Sequence, residues 1–201
     1  MHRHQRHLIL TALGTTAVLT LGACASSGAG SGAHGGMMST SSSASTRANA
    51  GESGDVMFAQ MMIPHHEQAV EMADLALQKD ASAEVTTLAR QIKAAQDPEI
   101  ATMTRWLDEW QAPMSSDQGH EGHGGGMMSG GDMRELSAAT GPKFDELWLT
   151  MMIEHHEGAV VMAQDVLGTT ANPEVETMAR AIVKGQKEEI ATMKSLLATA
   201  S

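Results

Sequence analysis

Residues 61–72 read MMIPHHEQAVEM, and residues 151–162 read MMIEHHEGAVVM, so one pattern is spelled twice at an offset of 90 residues. The same offset carries 55–108 onto 145–198 without a gap, with roughly half the positions identical, and EIATM recurs whole at 99–103 and 189–193. A gapless match of that length marks an internal duplication, which constrains the chain to two like halves.

Each half reads as two helices. At about 100° per residue, Ala59, Met62, His66, Ala69, Val70, Ala73 and Leu77 share one broad apolar sector, while Glu67, Glu71 and Asp74 fall opposite. The second helix of each half starts near Ser82 or Asn172, and Val85, Ala89, Ile92, Gln96, Ile100, Met103 and Leu107 form its stripe. No run alternates as a strand does. Four amphipathic helices with short turns inside each repeat predict an all-α fold, an antiparallel four-helix bundle made from two helical hairpins. Pro64 and Pro98 fall inside helical stretches, but Glu154 and Glu188 stand at the matching places. Their effect is therefore expected to be a kink and not an end.

The first residues follow a different logic. Arg3 and Arg6 precede an apolar run from Leu8 to Leu21, which is too short to span a bilayer and ends in Leu-Gly-Ala-Cys. Residues 1–23 are expected to be a lipoprotein signal peptide, cleaved before Cys24, with a diacylglycerol on that cysteine. Cys24 is the one cysteine in the chain, so the mature protein would hold no free thiol and no disulfide. Residues 24–54, rich in Ser, Gly and Ala, read as a lipid-anchored flexible tether. Residues 55–201 read as the bundle: repeat one at 55–112, a Gly/Met/His-rich linker at 113–140, and repeat two at 141–201. The expected location is extracytoplasmic, on the bacterial cell membrane. The net charge of −11 becomes −13 once Arg3 and Arg6 are removed, which argues against nucleic acid as a partner and favours cations.

Seventeen methionines and no tyrosine are more than gap-filling requires. Met61, His65 and Met72 lie within about 40° of each other on the first helix, and Met151, His155 and Met162 repeat the stripe. Met62 and His66, like Met152 and His156, point deeper into the core sector, where Met103 and Met193 of the partner helices also face. Thioether sulfur is soft and imidazole borderline, so this set favours Cu(I), with Ag(I) as its mimic, over Zn, Mn or Fe. His34, Met37 and Met38 in the tether, and His120, His123, Met127, Met128 and Met133 in the linker, repeat these ligand types on backbone expected to be flexible, suited to metal capture. Glu67 and Glu157 follow the histidines but project away from the core; they read as solvated residues or as carboxylates supporting the ligands.

These residues resemble the bacterial family known as domain of unknown function 305, whose hallmark is Met-Met-x-x-His-His-x-x-Ala-x-x-Met followed by a helix ending Glu-Ile-x-x-Met. Met61, Met62, His65, His66, Ala69, Met72, Glu99, Ile100 and Met103 match it, as do Met151, Met152, His155, His156, Ala159, Met162, Glu189, Ile190 and Met193. The resemblance implies a ferritin-like bundle, export and, in some members, copper binding or copper tolerance. The resulting expectation is a lipid-anchored protein that sequesters, buffers or transfers copper, with a copper-transfer protein as its further partner and no catalysis. Two other readings stand beside it. A di-metal oxidoreductase of the ferritin-like kind needs inward glutamates and Glu-x-x-His on two helices, and here Thr102 and Thr192 stand at the histidine places. A structural or adaptor lipoprotein would use the methionines for packing alone.

Overall fold

The computed structural model of the chain describes residues 41–114 and 125–200. The signal segment, Cys24, His34, Met37, Met38, His120 and His123 lie outside the described residues. Within them are five helices: α1 (Ser41–Gln78), α2 (Ala83–Glu109), α3 (Gly130–Ala138), α4 (Gly141–Leu167) and α5 (Pro173–Ala200). None of the described helices is long and apolar enough to cross a membrane.

The starts of the helices follow the local chemistry. Ser82 caps α2, its hydroxyl accepting the Val85 N–H at 3.3 Å. Pro173 opens α5, where its missing N–H costs nothing. Pro64 and Pro98 sit on exposed faces inside α1 and α2, and both helices run through them.

Two elements correct the reading from composition. First, α1 begins at Ser41 and takes in residues up to Gly54 that the Ser/Gly/Ala content assigns to a tether. Once the Met/His segment has nucleated a helix, each added residue gains a hydrogen bond without a new nucleation cost. Second, the linker contains α3. Ser129 and Asp132 form a capping box, each side chain bonding the other's backbone N–H, and Leu136 is fully buried beneath the helix.

α1 and α2 form one hairpin, α4 and α5 the other, and the hairpins meet chiefly through α1 and α4. The Trp148 indole donates to the Met72 carbonyl at 2.8 Å, and Trp106 donates to Glu174 at 3.0 Å across α2 and α5. Asp145 at the start of α4 accepts the Ser82 N–H. The apolar interior falls into two clusters. One gathers Ala69–Ala76, Val85–Ile92, Phe144–Met152 and Met193; the other gathers Phe58–Ile63, Met103–Leu107, Ala159–Val166 and Val175–Ile182. On all four helices of the bundle, a pair of polar residues that is buried or half-buried stands between these clusters. The pairs are His65 and His66, Gln96 and Glu99, His155 and His156, and Gln186 and Glu189.

Candidate metal centre

A polar layer across the middle of a bundle is expensive to bury unless its groups are partnered. Here the partnering is partial. His66 and His156 are wholly buried, and each bonds through Nε2 to a carboxylate of the hairpin partner, Glu99 at 2.8 Å and Glu189 at 2.9 Å. A carboxylate accepts, so each Nε2 carries the proton and each Nδ1 is left as the free nitrogen. Both Nδ1 atoms are buried without a hydrogen-bond partner among the described residues. Gln96, 2% exposed, has neither amide atom partnered, and Gln186 has its oxygen unpartnered.

His65 and His155 form the centre of the layer. Their rings lie 3.7 Å apart between centroids, tilted by 37°, and both are buried. His65 Nε2 bonds the carbonyl of Gly125 at 2.7 Å, while its Nδ1 and both nitrogens of His155 have no partner among the described residues. Burial pushes the His65 imidazole down to about 3 against the pull of the Gly125 carbonyl, and neighbouring histidines add to the effect. Burial, then the facing His65, holds His155 well below the ordinary histidine value. Both rings are therefore neutral at physiological pH, the form in which imidazole ligates metals.

The methionines divide by position. Met61 is 47% exposed, Met151 is buried, Met72 is fully buried beneath Trp148, and Met162 is half-buried. Met72 and Met151 belong to one apolar cluster and Met162 packs against the other. Met62 and Met103 sit in one apolar cluster and Met152 and Met193 in the other, on either side of the layer. Met128 and Met133 are not on loose backbone. Gln68 holds Met128 by two hydrogen bonds, and Met133 lies in α3 against the core. Met127 is half-buried beside them.

Of the two readings of Glu67 and Glu157, the structure agrees with the solvated one. Glu67 and Glu157 lie on the exposed face, and Glu157 pairs with Lys194. Glu99 and Glu189 bond the histidines in their place, because α2 and α5 run antiparallel beside α1 and α4 and bring EIATM level with His-His. The repetition of that string at both sites was the available signal.

Among the described residues, no group of three or more His, Cys, Asp and Glu side chains is set to hold a metal ion. An ion in this layer would therefore draw on thioether sulfur as well as imidazole. The donor atoms fit that demand: Nδ1 of His65, His66 and His156 and one of the two ring nitrogens of His155, the other carrying the proton, are buried and unpartnered, and methionines recur on the same two helices. Glu99 and Glu189 would orient His66 and His156 and fix their tautomer, as carboxylates behind ligating histidines do.

The family described as Domain of unknown function (DUF305) matches residues 55–197. Among solved structures, the DUF305 fragment from Deinococcus radiodurans is similar with a TM-score of 0.68 at 33% identity, covering 73% of this chain and 96% of that one. CopM in the Cu(II)-bound form gives 0.66 at 36% identity, over 73% of this chain and 97% of CopM. CopM in the Cu(I)-bound form gives 0.64 at 33% identity, over 72% and 96%. No curated protein matches the chain.

Proposed function

This chain belongs to the DUF305 family, and we propose that it is a Cu(I)-binding protein acting outside the cytoplasm, tethered to a membrane by a lipid on Cys24. The observation that carries the reading is the buried His65–His155 pair with unpartnered nitrogens, on helices whose methionines recur at matching places in both repeats. Neutral imidazole and thioether suit Cu(I), and CopM, a third identical to this chain, is solved with copper bound.

The role is binding, not turnover. Without thiolates the site suits buffering or handing copper on to another protein. Thioethers need no deprotonation, so they hold metal in a compartment where thiols are lost to oxidation. His65, His155, Met61, Met72, Met151 and Met162 are the proposed ligand pool, with His66 and His156 behind them.

Anaerobic titration of residues 25–201 with Cu(I), against a competing chelator, tests this beside the double variant His65→Ala/His155→Ala. Tight uptake that collapses in the variant supports the reading. Uptake that survives in the variant moves the metal to other methionines or to the linker. A protein that takes up no Cu(I) uses its Met/His pattern for packing, and the copper reading fails.

A further inference from the structure

The two copies of the motif diverge at one place that matters. Gln68 and Gly158 occupy the same position of the repeat, three residues after His65 and His155, and each meets the linker that crosses between them. The Gln68 carboxamide grips Met128 as a second strand would: Nε2 donates to the Met128 carbonyl at 2.9 Å, and Oε1 accepts the Met128 N–H at 2.7 Å. On the other helix, Gly158 supplies room. A Cβ at that position would overlap the carbonyl of Gly125.

The linker is shaped to match. Gly125 and Gly126 both have φ of +79°, which favours glycine. A Cβ on Gly126 would overlap the Glu154 carbonyl and stand 3.1 Å from the His155 Cα, while one on Gly125 would lie 3.7 Å from the Met162 sulfur. Residues 125–128 thus lie along the two facing Met/His stripes, and Ser129 then caps α3.

Seating this strap makes the paired histidines unequal. The Gly125 carbonyl can only accept, so the proton of the 2.7 Å bond sits on His65 Nε2, and Nδ1 is the nitrogen left to donate. No strap atom claims either nitrogen of His155. Two glutamines at this position would exclude the strap from α4, and two glycines would leave Met128 without its anchor.

We propose that Gly125–Met128 is a positioning strap, seated by Gln68 and Gly158, that commits His65 to donate through Nδ1 and so turns two copies of a motif into one unsymmetrical metal site. The metal half of this proposal rests on the copper reading above; the positioning half does not.

The test uses the ¹⁵N-labelled mature chain and two variants. Gly158→Gln copies the first repeat and pushes the strap off α4, while Gln68→Ala releases its other end without adding bulk, which covers the case in which the larger residue prevents folding. Long-range ¹H–¹⁵N correlation reads the histidine tautomers without metal. Chelator competition then reads Cu(I) affinity. His65 is expected as the Nε2–H tautomer in the wild type and as a tautomer mixture in the variants, with Cu(I) affinity lower by about tenfold or more. An unchanged His65 tautomer in both variants overturns the strap. So does a changed tautomer with wild-type copper affinity, which removes the link to the metal. A wild type that takes up no Cu(I) overturns the copper reading and the metal half with it, while its tautomers still decide the positioning half.

Discussion

Two buried imidazoles, those of His65 and His155, make the protein sensitive to acid in a definite direction. The folded His65 titrates near 3 and His155 well below its ordinary value, whereas the unfolded chain takes these protons at about 6.5. Above pH 6.5 neither state binds the extra protons, and stability is unaffected. As pH falls from 6.5 toward 3, the unfolded chain gains protons that the folded one refuses, so stability falls by about 1.4 kcal/mol per unit for each such histidine. Urea unfolding between pH 6 and pH 5 should show the summed slope of both residues in the wild type and about half of it in His65→Ala; an unchanged slope in that variant would mean the ring ionises freely in the fold. At the same scale, sequence spacing located all four histidines on the correct helices. The carboxylates bonded to His66 and His156 were signalled only by the recurrence of EIATM, because helical periodicity reports which face a residue takes and not which turn of the neighbour stands level with it.

At the scale of elements, the duplication supplies its own controls. Pro64 and Pro98 leave the carbonyls of Gln60 and Ala94 without the usual helical donor, while Glu154 and Glu188 keep it in the second hairpin. Both prolines face solvent, so water can serve those carbonyls and the helices continue. Pro64→Glu should therefore stabilise the fold, by up to about 3 kcal/mol, as read from the shift in urea midpoint. A loss of stability instead would mean that the proline itself helps to place Met61 and His65. The helix starts at Ser82 and Pro173 were legible because capping is a local contract of a few residues. α3 was hidden by glycine content even though Ser129-Gly-Gly-Asp132 spells a capping box. Composition over a window averaged away a signal carried by two positions.

Over the whole molecule, each hairpin presents a face that only the other can cover. α1 brings Met62, Ile63, Ala69, Met72 and Ala73 to the interior, α4 brings Met152, Ala159, Val160 and Ala163, and the histidine layer crosses between them. Sequence repetition implied such a mutual face; which helices would be adjacent followed only from the structure, where α1 packs on α4. Because the hairpins are copies, one should be able to stand in for the other. The first hairpin, as residues 52–112, keeps the cap at Ser82 and the His66–Glu99 bond, which are internal to it. It loses the Trp148–Met72 and Trp106–Glu174 bonds, which are not. A lone hairpin of this size buries too small a share of its surface to be more than marginally stable. A second copy offers the same methionines, alanines and histidines in the place of α4. Light scattering on the fragment should therefore give twice the monomer mass together with helical circular dichroism, and dilution should abolish both at once. A fragment that stayed helical as a monomer would show that the α1–α4 face is dispensable for folding. The buried histidines would then be kept at a face that stability does not require, a result that places the whole layer with binding.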